Sequence, residues 1–157
     1  MRTTTIRKPF SRALYNKADG KAKEIMRTYL QGRGHKLKED EEKYYCDIEG
    51  EDGHGWEVEI KYSWKGEWPT SWADVRIPHR KKRLIDKKGK ENITFYVLNS
   101  MCDQAWEITG DVVSGSEVTE VSNRFVPKGE LFYSIFVSQA KKIFLTGENE
   151  YDTVHKS

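Results

Sequence analysis

Between Trp56 and Tyr62 the chain reads Trp-Glu-Val-Glu-Ile-Lys-Tyr. Successive side chains of a β-strand point to opposite faces. Val58, Ile60 and Tyr62 therefore fall on one side, and Glu57, Glu59 and Lys61 on the other. Such a segment must lay its apolar side on a core and gather two carboxylates and an ammonium on the opposite side. A solvated strand can carry these charges for solubility alone. What neighbouring segments add decides whether the charged face is a site.

The 157 residues suffice for one domain with a real core. We read residues 1–157 as a single domain, with 1–15 a basic N-terminal arm and 146–157 a polar, flexible tail. Only 36% of residues are apolar, but 5 Trp, 8 Tyr and 6 Phe bury much area each and argue for a small aromatic core. No apolar run approaches the ~20 residues of a membrane span, and the N-terminus has no hydrophobic signal region. A soluble, intracellular and cytoplasmic protein is expected. Cys46 and Cys102 lack a Cys-x-x-Cys partner, which speaks against a zinc site or a disulfide framework. Both are expected to be small core residues.

A net charge of +2 hides a segregation of signs along the chain. The stretch up to Lys38 is basic, Glu39 to Glu57 is acidic apart from Lys43, and Arg76 to Lys90 holds a single acid, Asp86. An acidic focus between basic segments suits a site that holds a cation while gripping a polyanion.

Apolar residues at Ala22, Ile25, Met26, Tyr29 and Leu30 predict an amphipathic helix from Ala18, capped by Asn16 or Asp19 and ended by Gly32 and Gly34. Asp52-Gly53 is a tight-turn signal, so residues 43–62 read as a β-hairpin that brings Asp47 toward Glu57 and Glu59. Trp64, Trp68 and Trp72 lie in a loop broken by Gly66 and Pro69, where they can serve as core or dimer contacts or stack on unpaired bases. Pro78 starts a short basic helix through Leu84, and residues 87–90 read as an exposed turn. Ile93–Leu98 and Ala105–Ile108 form a second hairpin that extends the same sheet. Residues 109–130 are expected to be irregular with one short strand, 131–137 to be the last strand, and 139–145 a short helix capped by Ser138.

Helix, hairpin, basic segment and further strands, with Asp47 on one hairpin strand and Glu59-Ile60-Lys61 on the next, resemble the PD-(D/E)XK nuclease superfamily over residues 18–108. That group includes restriction-endonuclease-like and Holliday-junction-resolvase-like enzymes. Cys46 stands before Asp47 where the motif is named for proline. The resemblance implies an α/β (α+β) fold with a central mixed β-sheet and flanking helices, a restriction-endonuclease-like core. It also implies a metal-dependent DNA endonuclease, an Mg2+-dependent hydrolase of phosphodiester bonds with Mn2+ as a substitute. DNA is the expected partner and a homodimer the expected state, with no membrane and no small-molecule cofactor. Phage and mobile elements are common sources of such enzymes.

Carried onto this chain, the resemblance makes Asp47, Glu59 and Lys61 catalytic. Asp47, Glu59 and the backbone carbonyl of Ile60 become metal ligands, with Glu24 on the first helix a further candidate and Asp19 its competitor. The chemistry agrees: a hard cation takes oxygen ligands, and a lysine beside it can orient or deprotonate water and stabilise developing negative charge. Glu57 is open between an outer role in the site and a strand-edge charge. Glu51 to His54 reads as a turn rather than a metal cluster. Arg76, Arg80, Lys81, Lys82, Arg83, Lys87 and Lys88 are the expected contacts to the DNA backbone. The competing functions are a non-catalytic nucleic-acid binder on the same fold and an RNA-directed nuclease.

Overall fold

In a computed structural model, which describes residues 12–39, 46–123 and 126–145, the strand expected over residues 56–62 ends at Ile60, and Tyr62, expected on its apolar side, lies past it and is 46% exposed. Helix α1 spans Arg12–Gly32, strand β1 Ile48–Glu49 and β2 Gly55–Ile60. Strand β3 covers Asp74–Pro78, a 3-10 turn His79–Lys81, and helix α2 Lys82–Lys88. Strands β4 (Ile93–Leu98) and β5 (Gln104–Thr109) follow, then the short helix α3 (Gly110–Ser114) and strands β6 (Glu117–Asn123), β7 (Val126–Phe136) and β8 (Lys141–Phe144).

The strands form two sheets. A mixed five-stranded sheet runs β1-β2-β4-β5-β8, and a three-stranded sheet runs β3-β7-β6. Only the β2–β4 pair of the first sheet is parallel. A parallel pair needs a crossover, and here β3, the 3-10 turn and α2 supply it. The fold is therefore mixed α+β, a central mixed sheet with flanking helices.

Each face of the large sheet has its own core. On one face, Ala22, Met26 and Leu30 of α1, four residues apart on one helical stripe, are buried against Trp56, Val58, Tyr96, Leu98 and Ile143. On the other, Phe95, Val97, Trp106 and Ile108 meet Val75, Ile77, Tyr133 and Ile135 of the second sheet and Leu84 and Ile85 of α2. The charged side of β2 thus faces a second layer of protein, not open solvent.

Several expectations change. The helix starts at Arg12 rather than Ala18, so residues 12–15 are helical and Asn16 and Asp19 lie inside it. The run Arg12-Ala13-Leu14 is a good helix former with no breaker before Gly20, which explains the earlier start. Strand β3 was hidden by its charges; Val75 and Ile77 are buried while Arg76 between them is exposed, the alternation of a half-buried strand. Lys87 and Lys88 belong to α2, and the turn comes at Gly89, whose φ of 91° suits glycine. Residues 109–130 hold α3, β6 and the start of β7. The helix expected at 139–145 is a 3-10 turn and β8, because the free edge of β5 is satisfied by pairing Ala105 with Ile143. Residues 43–45 of the first hairpin, the arm up to residue 11 and the tail from 146 lie outside the described residues.

Trp64 is fully buried, its ring stacked on Trp106 at 6.2 Å and met edge-on by Trp68 at 5.0 Å, so it is a core residue. Cys46 and Cys102 are buried too. Burial and the nearby Glu57 and Glu49 push the Cys46 thiol up to about 12, which keeps it neutral.

Replacing Ile77, fully buried between the sheets, by Ala should cost about 2–5 kcal/mol of unfolding free energy. Phe136→Ala, at a ring that is 59% exposed, should stay within about 0.5 kcal/mol. Urea unfolding monitored by tryptophan fluorescence reads both.

Candidate functional site

The first hairpin sets up the site. Ile48 pairs with Trp56 and Glu49 with Gly55, so the same register places Asp47 opposite Glu57. The Asp47 N–H donates to Glu57 Oε2 at 2.8 Å, and Asp47 Oδ2 accepts the Val58 N–H at 2.9 Å. Strand periodicity then puts Asp47, Glu49, Glu57 and Glu59 on one face of the sheet, toward the second layer.

The second layer answers with two lysines. Lys81 Nζ lies 2.7 Å from Glu57 Oε1 and 3.1 Å from Glu59 Oε2. Lys88 Nζ lies 2.6 Å from Glu49 Oε1 and donates to the Gly53 carbonyl at 2.8 Å. Lys81, Leu84, Ile85 and Lys88 follow the i, i+3, i+4, i+7 spacing of one helix face, and that face is turned inward. Glu57 is 3% and Glu49 6% exposed.

Burial and the nearby Asp47 charge raise the pKa of Glu57 against the pull of Lys81. Burial disfavours the Lys81 ammonium, yet Glu57 and Glu59 outweigh it and raise its pKa.

Beside this cluster lies a polar cavity of about 250 Å³ lined by Asp47, Val58, Glu59, Ile60, Tyr62, Arg80 and Lys81. It opens where β1 stops and the edge of β2 goes on. The Lys61 N–H donates to Leu98 O of β4, whereas the Val58 N–H reaches Asp47 on the opposite edge. The N–H and C=O of alternate residues point to the same edge, so the Ile60 carbonyl faces the open side with Val58. Asp47, Glu59 and the Ile60 backbone, expected from the sequence, are thus brought together.

Other expected residues go elsewhere. Lys61 does not line the cavity; its Nζ sits 5.0 Å from the ring centroid of Trp72. Burial lowers its pKa, with Arg76 adding and Asp74 opposing. Glu24 is exposed and lines a shallow depression on the outer face of α1 with Lys23 and Arg27. It cannot join the carboxylates because α1 covers the other face of the sheet. Of the residues expected on DNA, Lys81 and Lys88 are counter-ions of buried acids, Lys82 pairs with Asp86 and Arg76 with Asp74. Arg83 and Lys87 are exposed on α2. Arg80 is 63% exposed at the cavity, 3.8 Å from Glu130. Glu51 to His54 is a turn: Asp52 Oδ1 accepts the His54 N–H at 3.0 Å, and the His54 ring bonds to Thr94.

The site role of Lys81 was missed because the run 80–83 looked like a solvated basic surface. Its signal was the stripe 81, 84, 85, 88, where two lysines share a helix face with Leu84 and Ile85. No protein-family model matches the chain, and no curated protein or solved structure is significantly similar to it.

Two carboxylates and one carbonyl on a polar cavity form an all-oxygen donor set, the kind Mg2+ takes while keeping several waters. Among the described residues no three His, Cys, Asp or Glu side chains form a metal-holding group. The set fits a divalent ion if Lys81 gives up Glu59 and keeps Glu57. Glu59, with 31% of its side chain exposed against 3% for Glu57, is the carboxylate able to make that exchange.

Lys81→Met should destabilise the fold by about 3–5 kcal/mol near pH 8, because Glu57 is left buried without its cation. A raised carboxylate pKa means that the folded state binds the proton more tightly, so stability falls as pH rises from the ordinary Glu range through the folded value. Loss of Lys81 removes an opposing pull and raises that value further. The deficit against wild type should therefore shrink toward pH 4.5, as urea unfolding at several pH values would show.

Proposed function

We propose that this chain is a metal-dependent DNA endonuclease of the PD-(D/E)XK type, with a restriction-endonuclease-like core. The observation that carries the reading is the meeting of Asp47, Glu59 and the Ile60 backbone on one polar cavity beside Arg80 and Lys81. Asp47, Glu59 and the Ile60 carbonyl would hold Mg2+, or Mn2+ in its place. When bound there, such an ion would supply positive charge beside the phosphate and lower the pKa of the attacking water.

The chain's own groups do the rest. Arg80, exposed at the cavity, grips a phosphate of the scissile strand with its planar fork. Lys81, released by Glu59, turns its ammonium to the phosphate and stabilises the charge that develops there. Glu57 keeps the stem of Lys81 anchored at 2.7 Å. Lys81 thus takes the part expected of Lys61. Two active sites for two strands imply a homodimer, and DNA as substrate implies an intracellular setting.

A second reading is a nucleic-acid binder without catalysis, on DNA or RNA. It is favoured by Lys81 itself, whose ammonium already pairs with Glu59, a carboxylate a metal would use.

Nicking of supercoiled plasmid in Mg2+ separates the two. Asp47→Asn and Glu59→Gln should each lower the rate by more than ~10²-fold, and Lys81→Ala by ~10²- to 10⁴-fold. Lys61→Ala should cost less than ~10-fold. Equal nicking by wild type and Asp47→Asn would remove the cavity from the chemistry, and binding without nicking by wild type would leave the binder.

Calorimetry tests the ligand set on its own. Asp47→Ala should bind Mn2+ at least ~10-fold more weakly than wild type; unchanged affinity would strike Asp47 from the ligands.

A further inference from the structure

A second, chemically different groove begins one residue from the carboxylate cavity. Ile60 and Tyr62 line the cavity, while Lys61 between them reaches the Trp72 ring. Trp72 belongs to an apolar groove of about 510 Å³ lined also by Trp68, Pro69, Phe136 and Val137. That volume falls in the range of ~300–1,000 Å³ typical of small-ligand sites.

The rings are held as a rigid platform. Trp68 Nε1 donates to the Trp72 carbonyl at 2.8 Å, and the two indoles meet edge-on at 5.0 Å. Phe136 pairs with Asp74 at the end of the β3–β7 ladder and is 59% exposed. A fold that buries Trp64 completely leaves Trp68 and Trp72 only partly buried, beside the exposed Phe136. Lys61 lies over Trp72, and Arg76, paired with the Asp74 that stands opposite Phe136, has a side chain 49% exposed and acts electrostatically on Lys61.

Aromatic faces beside cations match a nucleotide, a flat base joined to a phosphate. Bases in a duplex are stacked on one another and do not offer their faces, so the match is to an unpaired base. We propose that the groove of Trp68, Trp72 and Phe136 binds an unpaired base of a DNA strand, with Lys61 and Arg76 on the flanking phosphates. The proposal rests on the nucleic-acid reading above but not on catalysis. It assigns the protein to DNA that is opened, frayed or branched beside the cut.

Fluorescence anisotropy in EDTA tests this, with fluorescein-labelled dT12 and a labelled 12-base-pair duplex as probes. Phe136→Ala, a surface change, should weaken dT12 binding by about 5- to 150-fold, the effect of one stacked base, and leave the duplex within twofold. Lys61→Gln should flatten the slope of log affinity against log salt for dT12 by about 0.7. Unchanged dT12 affinity in Phe136→Ala overturns the proposal, and so does sedimentation showing that Phe136→Ala only splits a dimer. Plasmid nicking is read separately: wild type that binds and nicks with no dependence on Phe136 loses the groove alone. Wild type that binds dT12 through Phe136 without nicking loses the hydrolase alone.

Discussion

Glu57 and Lys81 join the two layers of this protein beside its polar cavity. A carboxylate that is 3% exposed on the inner face of a sheet is costly unless a cation meets it. The crossover between β2 and β4, folded across that face, brings Lys81 to it. The crossover delivers β3, which pairs with β7, and α2, whose Leu84 and Ile85 enter the aromatic core. Lys88 and Glu49 repeat the arrangement at the other end of α2. Two ion pairs thus set how the second layer sits on the first.

The same interaction joins both glutamates of β2 to one ammonium. Burial, with the nearby Asp47 charge, raises the pKa of Glu57, and the two glutamates raise that of Lys81. The more exposed glutamate, Glu59, faces the cavity, while Glu57 lies behind it in the protein. The division gives each acid a different part: Glu57 fixes the lysine, and Glu59 can exchange it. Past the end of the short β1, the open edge of β2 turns the Ile60 carbonyl outward.

Much of this was legible. The alternation beginning at Trp56 and the Asp52-Gly53 turn were enough to bring Asp47 toward Glu57 and Glu59, with the exact register left to the structure, and Ile93–Leu98 with 105–108 read directly as a hairpin. Local pattern carried those because each depends on period and turn chemistry within a few residues. It failed where a segment takes its conformation from a distant partner. Strand β3 reads as part of a basic run until β7, more than fifty residues on, pairs with it, and 141–144 reads as helix until the open edge of β5 makes a strand of it.

What the sequence alone determined is the two-faced strand, the carboxylates on its charged face and the apolar stripe of α1. What only the tertiary structure decided is which lysine belongs to those carboxylates. Lys61 is two residues from Glu59, but the end of β2 directs it to Trp72; Lys81 is 22 positions away, and the crossover brings it to 3.1 Å. The reason is that charge finds its partner through space, and the desolvation of Glu57 rewards only a cation that the second layer can carry into the interior.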